Sequence, residues 1–277
     1  MNSTGTLRRV LVRPPRADEL ERWQEFAWRA EPDASAIADE HAALCELFAG
    51  AGAEVVLAQK PVPGDPDAIY VYDPVLIGPS GALLLRIGKQ GRVAESEALA
   101  APLEAAGVPV VARMGAPATA DGGDMFWLDD DTLLVGRGYR TNDRGVAWIR
   151  DALPNADVLV FDLPHLRGRS EVLHLMSLVS PLAPDVVVAF PPLLPVRLVE
   201  LFEKRGIEMI EVPEEELDSM GPNVLALAPR VALALERNVE TRRRLVRAGI
   251  EVLTYEGAEL SKGDGGATCL TRPLVRD

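Results

Sequence analysis

The sequence has few of the residues on which several classes of protein depend. Of its 277 residues, only two are cysteines and three are histidines, and 5% are aromatic. Two cysteines cannot build a disulfide framework, which fits a reducing compartment. The N-terminal residues include no apolar stretch of signal-peptide length, and no run reaches the length of a membrane span. We therefore expect a cytoplasmic protein that does not bind membranes.

Positive charge is also scarce. Lysine and arginine number 29 against 42 acidic residues, which leaves a net charge of -13. Because phosphate binding requires a basic surface, this balance argues against a nucleic-acid partner, and it suits a small cationic substrate. A hydrophobic content of 48% is typical of a globular protein with a sizeable core. The composition leaves a homodimer open as one assembly.

One pattern recurs along the whole chain at intervals of roughly forty to fifty-five residues, a spacing typical of repeat architecture. A helical segment ends near Gly or Asn and an apolar strand follows, as expected of a helix stop. These five strands are predicted at residues 53–57, 108–111, 156–160, 207–210 and 250–253.

Two further strands precede the helix in most of these units. They are predicted at residues 68–71 and 82–85, 125–128 and 132–135, 178–180 and 186–189, and 224–227 and 231–234. The first unit is irregular, with one strand at 10–12 followed by Trp23, Phe26 and Trp28. The unit therefore reads strand, strand, helix, strand, five times.

Five such units can close around an axis and bury faces that one unit alone leaves exposed. The pattern predicts an α/β fold in one domain over residues 1–277, with inner strands that converge on a central site. An open α/β sheet with unequal insertions is the alternative.

Polar outliers fall at corresponding places in four of the units. They are Asp73, Asp121 and Asp124 around a Gly-Gly pair, His174, and Cys269. Taken singly, an aspartate beside glycine is a turn residue, a lone histidine is a structural group, and a cysteine is a small buried hydrophobe. Their recurrence near strand ends instead indicates a shared site with cysteine-based covalent chemistry.

The segment before Cys269 is rich in glycine, and we expect Gly265 and Gly266 to let a substrate approach the backbone. Arg140 follows a predicted strand, where a guanidinium could clamp a carboxylate by two hydrogen bonds. His41 and Cys45 have a spacing that metals use, but no second pair completes a four-ligand site, so no metal is predicted.

These residues resemble those of the dimethylargininases and arginine deiminases, members of the guanidino-modifying superfamily. The resemblance spans nearly the whole chain and rests on five blocks in order. They are Pro-Asp-Ala-Ile-Tyr-Val-Tyr-Asp at 66–73, Asp-Gly-Gly-Asp at 121–124, residues 135–142, Leu-His-Leu-Met-Ser at 173–177 and Gly-Gly-Ala-Thr-Cys at 265–269. The resemblance implies a pentein-like, five-bladed α/β propeller of strand-strand-helix-strand units.

The resemblance also implies roles for the polar residues. Cys269 would be the nucleophile, His174 the general acid and base, and Asp121 its acidic partner. Asp73 would hold the guanidinium nitrogens, and Arg140 the substrate carboxylate.

Two more positions join the substrate-binding set by the same resemblance. Asp67 would line the pocket, and a second family arginine is expected near Arg92, with Val93 at one alternative alignment position. The chemistry needs no metal and no organic cofactor, and the partner would be a small cationic guanidino compound.

Two departures from the family pattern stand out. Tyr72 occupies the place of a glutamate that dimethylargininases usually have, and Met176 that of an aspartate in arginine deiminases. With Met176, we expect a less charged pocket around the distal nitrogens that tolerates N-methyl groups.

The resulting prediction is a hydrolase of a guanidino C–N bond that acts through a covalent cysteine intermediate. It would convert N-methylated arginine to citrulline and an alkylamine. Arginine deimination and amidino transfer are alternatives within the class, and a non-catalytic propeller that binds a ligand is an alternative from another class.

Overall fold

Five separate three-stranded sheets contain the strands of this fold. The structure is a computed structural model that describes residues 2–169 and 173–277. The strands are β1 Leu7–Val12, β2 Glu54–Leu57, β3 Val75–Gly78, β4 Gly81–Leu84, β5 Val110–Arg113, β6 Met125–Trp127, β7 Thr132–Arg137, β8 Asp157–Asp162, β9 Val179–Ala183, β10 Val186–Ala189, β11 Glu208–Glu211, β12 Leu225–Ala228, β13 Val231–Leu235, β14 Glu251–Tyr255 and β15 Arg272–Arg276. The helices are α1 Ala17–Leu20, α2 Ala34–Gly50, α3 Glu95–Ala98, α4 Ala100–Ala105, α5 Asp143–Ala152, α6 Val196–Arg205 and α7 Val239–Arg247.

Each sheet repeats the same arrangement of strands. Its middle strand pairs antiparallel with an inner strand and parallel with an outer strand, as β7 does with β6 (Phe126 opposite Leu134) and β8 (Leu134 opposite Leu159). The parallel strand follows a helical segment, because a parallel pairing needs a long crossover. The predicted strand-strand-helix-strand unit and the five-bladed α/β propeller are thus confirmed, and the open-sheet alternative is wrong.

The first blade is built from both ends of the chain. β15 pairs antiparallel with β1 (Val10 opposite Pro273), and β2 pairs parallel with β1 on the other side (Val10 opposite Val55). The sequence analysis did not identify Arg272–Arg276 as a strand, because a proline between charged residues lowers strand propensity. Proline is tolerated on an edge strand, which β15 is.

The strand predicted at residues 68–71 is wrong. Pro66–Ile69 instead forms a 3-10 turn, in which the Asp65 side chain accepts a hydrogen bond from the Asp67 amide at 3.1 Å. The apolar residues there are buried by packing and not by a strand ladder, and the inner strand of this blade is β3. Asp73 therefore precedes an inner strand.

The helices pack their apolar faces against the sheets. In α2, the Asp33 side chain accepts hydrogen bonds from two amides of the first turn, which caps the helix. Ile37, Leu44 and Phe48 lie on one face of this helix and are fully buried with the β1 side chains of the core. Within the described part of the chain, no helix is both long and apolar enough to cross a membrane.

The propeller axis holds two cavities. The front cavity lies where the chain enters the inner strands β3, β9, β12 and β15, and its walls include Asp73, His174 and Cys269. The rear cavity lies along the far parts of the inner strands, and its walls include Trp127 and Arg272. None of the described residues lines both cavities.

Candidate active site

The front cavity brings the predicted site residues together. It has a volume of about 670 Å³, and its lining includes Asp67, Asp73, Arg92, Arg140, His174 and Cys269. Asp121 is fully buried and contacts His174 from behind the wall. The segments of Asp73, His174 and Cys269 meet here because each leads into an inner strand at the same end of the propeller, whereas those of Arg92 and Arg140 follow the middle strands β4 and β7.

The His174 ring lies between two carboxylates. Its Nε2 is 3.1 Å from Oδ2 of Asp121, and its Nδ1 is 3.8 Å from Oδ1 of Asp73. Burial alone would lower the pKa of His174, but Asp73, Asp124 and Asp121 outweigh this effect and raise the pKa. The imidazole therefore favours its protonated form and can donate a proton.

Asp73 is held as a carboxylate at the cavity wall. Oδ2 accepts a hydrogen bond from Nη1 of Arg92 at 2.7 Å, and Oδ1 accepts one from the Gly123 amide at 3.0 Å. Burial raises the pKa of Asp73, but His174, Arg92 and Arg140 together hold the pKa well below its usual range. A Cβ at Gly123 would lie 2.6 Å from Nδ1 of His174, so the amide can approach Asp73 only because this residue is glycine.

Cys269 is half-buried and is a thiol at rest. Burial and the charge of Asp73 raise the pKa of Cys269 to about 11, although hydrogen bonds from the Gly266 amide and Asn223 partly oppose the shift. Sγ accepts the hydrogen bond from Nδ2 of Asn223 at 3.1 Å. A cation bound in the front cavity would lower the pKa of this thiol and favour the nucleophilic thiolate.

Gly265, four residues before Cys269, has a packing role that the sequence analysis did not identify. A Cβ at Gly265 would lie 2.1 Å from Cε1 of Tyr70. The Tyr70 ring packs there against Trp28, with centroids 6.1 Å apart, and its hydroxyl donates to the Leu260 carbonyl at 2.8 Å. Gly265 therefore makes room for a side chain of the protein itself, and because it also lines the front cavity, the expected approach of substrate to this backbone stays a prediction.

Arg92 is engaged by protein groups. It is 4% exposed, its Nε donates to Glu95 at 2.5 Å, and its Nη1 donates to Asp73 at 2.7 Å. Nη2 donates to Glu95 at 2.9 Å and lies 3.3 Å from the Tyr70 carbonyl. This geometry makes Arg92 a support for Asp73, and a substrate carboxylate would have to compete with two buried carboxylates for it.

Arg140 retains more of its hydrogen-bonding capacity. Its Nη2 is 2.5 Å from Oδ2 of Asp121, and this positive charge lowers the pKa of Asp121 against the opposing effect of burial. Nε of Arg140 is buried and has no hydrogen-bond partner within the described residues. Arg140 is thus the better placed of the two arginines for a carboxylate ligand.

Asp67 occupies the side of the front cavity. Its carboxylate accepts hydrogen bonds from Nε1 of Trp28 at 2.8 Å and from Nζ of Lys89 at 2.7 Å. The Lys89 ammonium also lies 4.6 Å from the centroid of the Phe26 ring. Sequence reasoning missed Lys89, which adds a cation to the wall that contains Asp67.

Asn223 is the other residue that sequence reasoning missed. It donates to Cys269, and its Oδ1 accepts a hydrogen bond from the Thr268 amide at 3.1 Å. Asn223 comes just before β12, the place that Asp73, His174 and Cys269 occupy before their own inner strands. The same position in the repeat unit, by which the polar residues of four units were identified, could therefore have identified Asn223 in the remaining unit.

Three of these groups are close enough to share a metal ion. One ligand atom each from Asp73, Asp121 and His174 lies within 4.8 Å of the others. Arg92 and Arg140 already place positive charge on the two carboxylates. The cluster is therefore balanced by guanidinium groups of the protein.

The two departures from the family pattern lie elsewhere. Tyr72 and Met176 both line the rear cavity, and neither lines the front cavity. Met176 is 5% exposed and packs with Phe126 and Leu134 in the core. The expectation that Met176 shapes the pocket around a substrate's nitrogens is wrong, because its side chain points away from Cys269 towards the rear cavity.

Comparisons with known proteins agree with this geometry. The arginine deiminase family model matches residues 192–276. An N(G),N(G)-dimethylarginine dimethylaminohydrolase of Streptomyces coelicolor is 31% identical over 272 residues, which is 95% of this chain and 96% of the relative. An arginine deiminase of Mycobacterium avium is 30% identical over 58% of this chain, which spans 47% of that relative.

The likeness extends to solved structures. A dimethylarginine dimethylaminohydrolase of Pseudomonas aeruginosa, solved as a mutant in complex with citrulline, superposes with a TM-score of 0.79 at 22% identity. The match covers 96% of this chain and 98% of the other. The propeller is therefore shared over nearly the full length of both chains.

Proposed function

The chain belongs to the family of dimethylargininases and arginine deiminases, whose members hydrolyse guanidino C–N bonds, and on that premise we propose that it hydrolyses an N-methylated arginine to citrulline and an alkylamine. One observation carries the proposal. The carboxylate of Asp73, the His174 ring and the Cys269 thiol line a single cavity. A guanidinium can pair with the first, be protonated by the second and be attacked by the third.

In the first step the substrate activates its own nucleophile. The guanidinium pairs with Asp73, and its positive charge lowers the raised pKa of Cys269, so the thiol releases its proton to solvent. The thiolate attacks the central guanidinium carbon and forms a C–S bond. Protonated His174 donates its proton to the leaving nitrogen, the C–N bond breaks, and the alkylamine departs.

In the second step water releases the product. His174, now neutral, accepts a proton from a water molecule, and the resulting hydroxide adds to the carbon of the covalent intermediate. The C–S bond breaks, the ureido product forms, and the sulfur and His174 return to their starting protonation states. Asp121, fixed by Arg140, holds the ring through Nε2 during both steps.

The choice of a methylated substrate rests on the extent of the similarity. The match to the dimethylarginine hydrolase spans nearly all of both chains, whereas this chain spans about half of the arginine deiminases that it matches. Met176 no longer supports this choice, since it lines the rear cavity. Deimination of arginine and amidino transfer to an amine remain the alternatives at the same site.

A substrate panel tests the proposal. Arginine, monomethylarginine and dimethylarginine are each incubated with the protein, and citrulline, alkylamine and ammonia are measured, with Cys269→Ser as the inactive control. Citrulline and dimethylamine in equal amounts support the proposal. A preference for arginine above about tenfold in kcat/KM would establish deimination instead, and no product from any of the three would favour a propeller that only binds its ligand.

A further inference from the structure

The rear cavity has the form of a second ligand site. Its volume is about 360 Å³, within the range of small-molecule pockets, and all five blades contribute to its walls. Much of the lining is apolar, including Leu76, Trp127 and Leu225. Two arginines, Arg272 and Arg276, are also part of the lining.

Arg272 is buried without a full set of partners. It is 4% exposed, and its guanidinium carbon lies 3.4 Å from the centroid of the Tyr72 ring. Nη2 donates to the Tyr72 carbonyl at 2.9 Å, but Nε is buried and has no hydrogen-bond partner within the described residues. Burial lowers the pKa of Arg272, and Tyr72 and Asp73 only partly oppose this effect.

Arg276 extends the same positive surface. Arg272 and Arg276 both belong to β15, and both line the rear cavity. Arg276 donates to the carbonyls of Gly5 at 2.6 Å and Ala226 at 2.8 Å. Burial and the neighbouring charge of Arg272 lower the pKa of Arg276 to about 10.

Neutral carbonyls orient these guanidinium groups but do not balance their charge. Among the described residues, both arginines donate hydrogen bonds to backbone carbonyls. Two carboxylates, those of Asp130 and Asp277, also line the cavity, and Asp277 forms an ion pair with Arg8. A buried cation beside a half-buried one is costly, and an anion placed between them would offset that cost.

We propose that the rear cavity binds a small organic carboxylate with an apolar body. The planar head group matches the hydrogen-bonding geometry of a guanidinium, and the unpaired Nε of Arg272 is a donor ready for it. The apolar body packs against Trp127, Leu76 and Leu225. The apolar lining is the reason to favour an organic acid over inorganic phosphate.

This site does not depend on the chemistry of the front cavity. No described residue lines both cavities, although Tyr72 and Thr268 of the rear wall are the chain neighbours of Asp73 and Cys269. The rear site can therefore bind its ligand whichever guanidino compound the front site accepts.

Calorimetric titration with benzoate tests the proposal. Benzyl alcohol and inorganic phosphate serve as probes that lack the charge and the apolar body, and each titration is repeated with saturating citrulline to occupy the front cavity. We expect benzoate to bind with and without citrulline, and more tightly than either control. Arg276→Met should weaken benzoate binding roughly ten- to hundredfold, and Arg140→Met should leave it unchanged.

A second pair of variants guards against misfolding of the arginine variant. Tyr72→Glu places a carboxylate next to Arg272 and should abolish benzoate binding, while Tyr72→Phe retains the stacked ring and should preserve it. The proposal is overturned if benzoate does not bind the wild-type protein, if citrulline or Arg140→Met removes the binding, or if Tyr72→Glu and Tyr72→Phe bind equally well. Equal affinity for phosphate and benzoate would overturn the assignment of an organic acid.

Discussion

The two cavities on the propeller axis differ in how their charges are balanced. In the front cavity, Asp73 and Asp121 are ionised and each is paired with an arginine. In the rear cavity, Arg272 and Arg276 face backbone carbonyls. Under our two proposals one end of the axis receives a cation and the other an anion, which the net charge of -13 does not indicate.

The difference follows from where the polar groups sit in the repeat. The front residues belong to segments that precede the inner strands, outside the hydrogen-bonding ladders, so neighbouring blades can bring them into contact. The rear arginines lie on the inner strand β15 itself, and both line the rear cavity. The same repeat unit thus contributes to two cavities, since its loops supply the front residues and its inner strand supplies the rear ones.

The largest effect that separates the two ends is expected at the nucleophile. Cys269→Ser should abolish turnover and preserve the fold and the rear cavity, because a serine hydroxyl without a matched base cannot replace a thiolate. Steady-state assays with a guanidino substrate and circular dichroism measure the two properties.

Cys45→Ser is the matched control for this variant. Cys45 is half-buried on α2, its Sγ lies 3.7 Å from Nδ1 of His41, and it does not line the front cavity. Its activity should remain near wild type. If Cys45→Ser is inactive and Cys269→Ser is active, the assignment of the nucleophile is wrong.

The next largest effect is expected at the general acid and base. His174→Ala should lower kcat by two to four orders of magnitude, about 3 to 5 kcal/mol of barrier, which is typical of the loss of general acid-base catalysis. His165→Ala is the control, since His165 does not line the front cavity, although its Nδ1 lies 2.7 Å from the hydroxyl of Tyr139, which does. A loss below about tenfold at His174 would contradict its role.

A smaller, graded effect is expected in the pH dependence of the free thiol. Because burial and Asp73 raise the pKa of Cys269 to about 11, the thiolate fraction should rise about tenfold per pH unit below that value. Alkylation of the Cys45→Ser variant by iodoacetamide, followed by mass spectrometry, should therefore accelerate up to at least pH 10.

Turnover should behave differently, because a bound cation lowers the pKa of the same thiol. The rate with a cationic substrate is expected to level off at a lower pH than alkylation does. A plateau of the alkylation rate near neutral pH would show that the free enzyme already holds a thiolate, and activation by the substrate would then be unnecessary.

Much of the fold and of the candidate site could be predicted from the sequence, because the polar site residues recur at the same position of the repeat unit as the strands and helices do. Most strands were identified from their apolar runs, although Val75–Gly78 was missed, and Asp73, His174 and Cys269 were identified by their place in the unit. The strand predicted at residues 68–71 was wrong, because the sequence pattern of an apolar run that packs as a 3-10 turn is the same as that of a short strand. The domain extent, the cytoplasmic location and the homodimer stay predictions.

The tertiary contacts could not be predicted in the same way. β15 completes the first blade from the other end of the chain, a pairing that no local pattern encodes. The engagement of Arg92 by Glu95 and Asp73 likewise depends on side chains that meet only in the fold. Met176 was assigned by its distance from His174 along the chain, yet a step of two residues takes it from the front cavity to the rear one.

The smallest effect is therefore expected at Met176. Met176→Leu conserves volume in a packed core and should change the ratio of kcat/KM for dimethylarginine to that for arginine by less than about threefold. Lys89→Met, which removes a cation from the wall of the front cavity, is the matched comparison and should change the ratio more. If Met176→Leu shifts the ratio as far as Lys89→Met does, the two cavities are coupled through the Met176 segment, and the separation between a cation end and an anion end fails.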